Sequence, residues 1–341
     1  MSHLDRRAFL KLAAALPTLT ALPGAVASAQ AAPQPAADRL GPLLPTRPLG
    51  RTGLTVTVLA AGGASHHASD DPAPQLIETA LAQGCRFFET ARMYGGGRVE
   101  TDWGRHLTPK YRNDIVLLSK STATNAAGFT RDLETSLGQM KTDVIDIYLI
   151  HSVNSVQDVD NRVANGVLDA ALRAKAQGKI KHVGFSGHRD HRAHDHFIAN
   201  HADALECVMM PVSVIDTARA SFTLNTLPKA VDANLDVFAM KVFGGGGAFG
   251  EQVRWSVSDR VQRGATPAAL IPDVFTLDQA LAFVLSLPIG AATIGCGASR
   301  QITQNAQAVR QFAGMSAQQR QALIDRVVDV VNAGPFEHYK A

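Results

Sequence analysis

Between Val56 and Ile294 the chain repeats one pattern eight times. A short apolar run is followed by a loop, a helical period, and then Gly or Asn before the next run. The runs are Val56–Ala60, Arg86–Thr90, Ile115–Ser119, Ile145–Ile150, His182–Ser186, Val208–Val212, Asp236–Met240 and Ala291–Ile294. Continuous apolar strands separated by helices imply parallel strands buried on both faces. Eight such units over roughly 240 residues match a (β/α)8 barrel in count and length. A doubly wound sheet would place a GxGxxG turn after its first strand, and Ala61-Gly62-Gly63-Ala64 does not supply one. Among the helices, Leu133, Leu137 and Met140 fall at i, i+4 and i+7, with Thr130 expected as N-cap. Asn165 is expected to cap the helix carrying Val167, Leu168, Ala171 and Leu172, which should stop at Gly178. The helix with Leu76, Ile77, Ala80 and Leu81 should stop at Gly84, and both helices end in Ala-Gln-Gly. A last helix is expected over Ser316–Asn332, outside the barrel.

The length of 341 residues would allow two domains, but a single barrel of this size needs no second core. A hydrophobic fraction of 46% suits one large core and excludes a disordered chain. The formal net charge of +3 is small, and part of it lies in the first 31 residues, where Arg6, Arg7 and Lys11 outweigh Asp5. A nucleic-acid binder would show a basic excess or stripe, so that class is set aside. Three cysteines without CxxC spacing cannot build a disulfide framework or the usual zinc or iron–sulfur motif, and no metal site is expected from them.

The N-terminus has its own character. Asp5-Arg6-Arg7-Ala8-Phe9-Leu10-Lys11 precedes the apolar run Leu12 to Leu22, which ends in small residues around Ala27-Ser28-Ala29 and Ala29-Gln30-Ala31. The run is too short for the roughly 20 residues of a membrane span, and Pro17 interrupts it. A cleavable export signal over 1–31 is the expectation, with an uncleaved tether or a basic tail as alternatives. The paired arginines resemble a twin-arginine signal, which implies the twin-arginine export machinery as a partner and a periplasmic destination. Residues 32–45, rich in Ala and Pro, read as a flexible lead-in, and 46–341 as the barrel with its C-terminal helix.

In a barrel the chemistry sits at the C-terminal ends of the strands. Glu89 and Tyr94 fall at and just after the second run, Lys120 ends the third, and His151 ends the fourth. A buried Lys beside a Tyr is expected to favour phenolate and bring the Tyr pKa down toward neutrality. A carboxylate would keep the Lys charged, and a His would orient a substrate oxygen. Together these groups could deliver a proton to a carbonyl oxygen. Singly, each has a plainer reading as a solvated or packing residue.

The residues around these four resemble the aldo-keto reductase family. The motifs are Arg47-Pro48-Leu49-Gly50-Arg51-Thr52-Gly53-Leu54 and Phe87-Phe88-Glu89-Thr90-Ala91-Arg92-Met93-Tyr94-Gly95, then Val144-Ile145-Asp146-Ile147-Tyr148-Leu149-Ile150-His151 and Gly178-Lys179-Ile180-Lys181-His182-Val183-Gly184-Phe185-Ser186. Members exported by the twin-arginine route look especially similar, through Phe185-Ser186-Gly187-His188 and Met240-Lys241-Val242-Phe243-Gly244-Gly245. The resemblance implies hydride transfer between NADP, or alternatively NAD, and a small-molecule aldehyde, ketone or alcohol. It implies Tyr94 as general acid, Lys120 as its partner and His151 as the orienting group, with Glu89 at the family's Asp position. Ser186 matches the serine that meets the nicotinamide amide, while Gly187 and Met209 stand where Asn and Gln are usual. Gly62 and Gly63 after the first strand are read as cofactor-binding. Phe243 and the run beginning Gly244-Gly245 follow the seventh strand, where barrels bind phosphate through backbone N–H groups, unless this is only a flexible glycine loop. Gly295, Ser299, Arg300 and Asn305, after the eighth strand, resemble the segment that holds the adenosine phosphate. A non-catalytic nucleotide- or ligand-binding accessory subunit is the alternative from another class, and a barrel isomerase or hydrolase a more distant one.

Two histidine groups complete the inventory. His188, His191, His194 and His196, with Asp190 and Asp195, read as a solvated polar loop, although His191 and His194 at i, i+3 could present two metal ligands. His66 and His67 either face the substrate opening or are simply exposed.

Overall fold

The computed structural model describes residues 36–250, 269–334 and 336–340. Expectations that fall on residues 1–35, the signal among them, lie outside the described residues.

Eight parallel strands close into a barrel. They are β1 (Leu59–Gly62), β2 (Phe87–Glu89), β3 (Val116–Ser121), β4 (Ile145–Ile150), β5 (Ile180–Ser186), β6 (Cys207–Pro211), β7 (Asp236–Met240) and β8 (Ala291–Gly295). Each pairs in parallel with its successor, and β8 returns to β1 through Ala292↔Leu59 to Gly295↔Gly62. The alternation of strand side chains sorts them into two cores. Ala60, Phe87, Leu118, Ile147, Leu149, Cys207, Met209, Phe238 and Ala291 fill the barrel interior. There Phe87 and Phe238 meet edge-on at 5.1 Å. Their neighbours face outward, as Phe88 does against Trp103 of the helical ring at 5.7 Å.

The ring comprises α1 (Ala73–Ala82), α2 (Arg98–His106), α3 (Ala126–Met140), α4 (Val156–Ala164), α5 (Val167–Ala176), α6 (His191–His201), α7 (Phe222–Asp232), α8 (Leu277–Leu285), α9 (Ser299–Arg310) and α10 (Ala317–Asn332). The expected last helix is α10, and Ser316 caps it in a reciprocal box with Gln319. Gly84 ends the turn after α1 at φ +84°, and a Cβ there would lie 2.5 Å from the Pro42 carbonyl oxygen, so only glycine fits.

Several local expectations are corrected. The run Val56–Ala60 is not one strand. Thr55–Thr57 pairs antiparallel with Thr46–Pro48, and β1 starts only at Leu59. The turn between the hairpin strands is held by the Asp236 carboxylate, which accepts from the Thr52 N–H at 2.9 Å and its hydroxyl at 2.7 Å. Leu49 and Val56 thereby plug the N-terminal end of the barrel. The N-cap of α3 is Asn125, whose side chain accepts from the Gly128 N–H at 2.9 Å. Thr130 lies inside that helix and donates back to the Ala126 carbonyl. Gly166, not Asn165, precedes α5, and the Asn165 amide donates to the Thr124 carbonyl instead. The lead-in read as flexible makes defined contacts with the barrel from Asp38 onward. Asp38 pairs with Arg86 at 2.7 Å and Leu44 is buried. Among the described residues no helix is long and apolar enough to cross a membrane.

Candidate active site

The alternation that points Phe87, Leu118 and Leu149 into the barrel also points inward the residues two positions on, at the strand ends. These are Glu89, Lys120 and His151. Lys120 and Glu89 are only 1% and 2% exposed. Tyr94 arrives from the next turn, Tyr94–Gly97, whose three glycines take positive φ.

The four side chains meet. The Lys120 ammonium donates to Glu89 Oε1, to the Thr90 carbonyl at 2.8 Å and to Tyr94 Oη at 3.2 Å, which occupies its three protons. Tyr94 in turn donates to Glu89 Oε1 at 3.3 Å. The His151 ring stands edge-on to the Tyr94 ring at 5.9 Å. The longer carboxylate at position 89 therefore reaches both Lys120 and Tyr94.

The electrostatics differ from the sequence expectation. Burial, and then the Glu89 carboxylate, push Tyr94 well above its usual pKa. The charge of Lys120 is matched by Glu89 in direct contact, so the phenol is not drawn toward phenolate. Burial lowers the pKa of Lys120, and Glu89 opposes that shift. His151 is held far below its usual value by burial and then by Lys120, so its ring is neutral. Its Nδ1 is buried without a protein partner.

Behind the tetrad stands a carboxylate that sequence reasoning missed. Glu100 on α2 is fully buried and accepts from the Ser119 hydroxyl at 2.6 Å. Burial raises its pKa. Its signal was its place on the same apolar face as Trp103, three residues on.

The positions read as cofactor-binding fall into two groups. Ser186, at the end of β5, is buried and its hydroxyl has no protein partner. Phe243 is nearly buried beside Phe249 at 5.2 Å. Gly244 and Gly245 take positive φ, and a Cβ on Gly244 would lie 3.2 Å from the Phe336 carbonyl oxygen. An orphaned hydroxyl, a flat ring and a bare glycine backbone around one mouth fit a nicotinamide dinucleotide. Gly62 and Gly63, by contrast, are buried, and their missing side chains serve backbone packing. A Cβ on Gly62 would stand 2.9 Å from the Gly295 nitrogen, and one on Gly63 2.9 Å from Val99. Asn305 is turned inward, donating to Cys296 Sγ at 3.4 Å. Ser299 opens α9, and Arg300 next to it is exposed and 3.8 Å from Asp70. Met209 lies in the barrel interior and offers no amide. A Cβ at Gly187 would meet the Val153 carbonyl oxygen at 2.4 Å and His194 at 2.7 Å, so an Asn has no room there.

The histidine loop is not a uniformly solvated one. His194 is buried between Phe185 and Phe222, with ring centroids at 5.0 and 4.9 Å. His191 pairs with Asp195 and His196 with Asp160. His188 faces the Tyr339 carbonyl at 3.2 Å. Among the described residues no group of three or more His, Cys, Asp or Glu is placed to hold a metal ion. His66 is not exposed. It is buried, its Nδ1 accepts from Trp103 at 3.4 Å, and burial lowers its pKa to about 4. The side chain of His67 lies outside the described residues.

Comparison with known proteins adds to this geometry. The sequence profile of the aldo/keto reductase family matches residues 58–319. The 6-dehydroglucose reductase of Agrobacterium fabrum is 29% identical over 191 residues, covering 51% of this chain and 62% of that protein. Across the first curated relatives the matched span covers only 40% to 62% of their length. The holo form of aldo-keto reductase AKR11C1 from Bacillus halodurans superposes with a TM-score of 0.66 at 20% identity, covering 87% of this chain and all of that one. A Klebsiella pneumoniae aldo-keto reductase in complex with NADPH gives 0.61 at 18%, covering 84% of this chain and 95% of its own. At such identities the superpositions show a shared fold.

Proposed function

This chain belongs to the aldo/keto reductase family, and from that premise we propose that it is an NADP(H)-dependent oxidoreductase acting on small aldehydes, ketones or alcohols. The observation that carries the reading is the convergence of Glu89, Tyr94, Lys120 and His151 at the strand ends. The NADPH complex of the Klebsiella pneumoniae protein supports the choice of nucleotide.

When bound, the nucleotide supplies or accepts the hydride. The chain's own part is to hold the substrate oxygen and move one proton. Tyr94 keeps its proton at ordinary pH and swings its O–H from Glu89 toward the substrate oxygen. Lys120 remains hydrogen-bonded to Oη and stabilises the phenolate left behind. His151, neutral, has a ring N–H to offer the same oxygen and fixes its approach. Ser186 holds the nicotinamide amide and Phe243 flanks the ring, a role supported by the burial of Ser186 Oγ without a protein partner. Gly187 and Met209 contribute no amide, so Ser186 bears that contact without them.

Replacing Tyr94 by Phe tests this directly. It removes the proton donor and keeps the ring, so NADPH consumption with a reducible aldehyde should fall by about 10²-fold or more, with nucleotide affinity little changed. Wild-type turnover in Tyr94→Phe would sink the assignment and favour the accessory binding subunit.

The first 31 residues are proposed to be a twin-arginine export signal and the protein periplasmic. That reading rests on the sequence Arg6-Arg7-Ala8-Phe9-Leu10-Lys11 and the apolar run after it.

A further inference from the structure

Glu100 stands outside the barrel wall, yet it is tied to the supports of both Lys120 and Tyr94. Pleating sends Leu118 and Lys120 of β3 inward and Ser119 outward, toward the helical ring. The Ser119 hydroxyl donates to Glu100 Oε1 at 2.6 Å, so the carboxylate holds β3 one residue before Lys120. Its other oxygen faces α3. With its amide nitrogen turned toward them, as hydrogen bonding requires, Gln139 donates to Glu100 Oε2 at 3.2 Å and to the Gly97 carbonyl at 3.3 Å. Gly97 closes the Tyr94–Gly97 turn and leads directly into α2. Gly104, one helical turn beyond Glu100, brings α2 against α3. A Cβ there would collide with the Gln139 carbonyl oxygen, so the bare backbone is what sets Gln139 opposite Glu100.

An acid is a costly choice at this place. Glu100 is fully buried, and the groups bonded to it, Ser119, Gln139 and Ser136, are neutral donors. Burial raises its pKa, while the two hydroxyls and then the charges of Arg92 and Lys120 favour the ionised form. Farther along the same side, Tyr148 Oη meets Ser136 Oγ at 3.2 Å and Asp132 accepts from Ser121 Oγ at 2.6 Å. A glutamine would fill the same space with a different outcome. Its amide nitrogen would force Gln139 to turn its oxygen inward, leaving the Gly97 carbonyl with the Thr101 hydroxyl at 3.1 Å. Only a carboxylate accepts from Ser119 and Gln139 together and also sets a negative charge behind Lys120.

We propose that Glu100 is a positioning residue for the proton transfer, clamping the Lys120 end of β3 to the Tyr94 turn from outside the barrel. The proposal rests on the reductase reading of the tetrad. Tyr94 Oη must meet the substrate oxygen while Lys120 stays within bonding reach, and this one carboxylate ties down the supports of both. A misplacement of about 1 Å between reacting groups is enough to cost about 10²-fold in rate.

The test is Glu100→Gln in the full chain, followed by NADPH consumption with a reducible aldehyde across pH and by amide hydrogen exchange. kcat should fall about tenfold or more, with KM for the aldehyde and NADPH affinity within about twofold, because Glu100 lies behind the wall that the ligands face. Burial lowers the Lys120 pKa, and Glu89 and then Glu100 oppose that shift. Without the Glu100 charge Lys120 loses its proton at lower pH, so the alkaline limb of kcat should move down. Exchange in the Tyr94–Gly97 turn should quicken. Glu100→Asp keeps the charge on a shorter arm, so kcat should fall while the limb stays in place. Gln139→Met cuts the tie to Gly97 and keeps the charge, with the same result expected, and it serves as the test if Glu100→Gln does not fold. A carboxylate that only packs α2 would lower the thermal midpoint and leave kcat and its alkaline limb at wild-type values. That result in folded Glu100→Gln, or wild-type kcat in Gln139→Met, overturns the proposal. If the wild type reduces no aldehyde, the reductase reading falls separately and exchange decides the clamp. Faster exchange in the turn then upholds it, and unchanged exchange overturns it.

Discussion

Replacing Glu89 by Gln removes one negative charge at the centre of the site and changes almost no volume. Its partner Lys120 is 1% exposed, so water cannot take over the lost contact. The ammonium keeps the Thr90 carbonyl and Tyr94 Oη, both neutral acceptors. Breaking a buried ion pair on one side typically costs about 3–5 kcal/mol, and the two remaining acceptors place this case at the lower end. For a domain whose total stability is on the order of 5–15 kcal/mol, urea unfolding should show a clearly lower midpoint with unchanged slope. The charge change also reaches Tyr94. Two of the three influences that raise its pKa come from Glu89, so the phenol of Glu89→Gln should ionise at lower pH. The alkaline limb of the pH–rate profile should move toward neutrality. Glu89→Asp keeps the charge on a shorter arm and should recover most of the stability. A Glu89→Gln protein as stable as wild type, with the same alkaline limb, would refute the claim that this carboxylate neutralises Lys120 and governs Tyr94.

His66, His188 and His194 are kept neutral by burial, with pKa values near 4, 3 and 4. In the unfolded chain each would bind a proton near pH 6.5, so stability should be intact above that pH and fall steadily between about 6.5 and 4. A flat urea midpoint across that range would contradict the burial of the three rings. Glu337 has the opposite sign. Burial and then Asp216 raise it to about 7, so its contribution is complete below about pH 4.5 and is lost as pH rises through 7. Proteolysis of the Phe336–Lys340 segment should therefore quicken on the alkaline side. Gly187→Asn should lower the thermal midpoint by several degrees, as overpacking by about 1–3 kcal/mol does. An unaltered midpoint would mean that Val153 and His194 give way freely. Changing Arg6-Arg7 to Lys-Lys should leave precursor in the cytoplasm on cell fractionation, and continued export would remove the twin-arginine reading.

The strand count and the four residues at the mouth were legible because both follow from local rules, namely the apolar alternation and the inward direction of every second residue. What escaped depends on distant parts of the chain. Thr55–Thr57 and Leu59–Gly62 are separated by a single residue, Val58, so that Val56–Ala60 runs across the end of one and the start of the other. The contact that holds the hairpin turn, between Thr52 and the Asp236 carboxylate, joins positions 184 apart in the sequence. Asn125 and Thr130 are both competent caps, and tertiary packing chose between them. The direction of the Tyr94 shift hinged on which of two opposite charges is spent on the other. Glu100 is marked only by sharing a helix face with Val99 and Trp103, and nothing local says that this face is buried.

The closure of β8 onto β1 has a kinetic meaning. The ring is completed by partners near the two ends of the folded region, Leu59 with Ala292. Bringing them together costs loop entropy that local contacts cannot offset early, which makes this last seam a slow step. Until it forms, β1 and β8 are open edges able to pair with another chain. A chain that had made the other seven strand pairs and lacked this one would present both edges to a second chain. A nucleotide that spans the Gly295 side and the Ser186 side would bind only the closed ring and pull the equilibrium toward it. Refolding yields should accordingly improve when the nucleotide is present from the start.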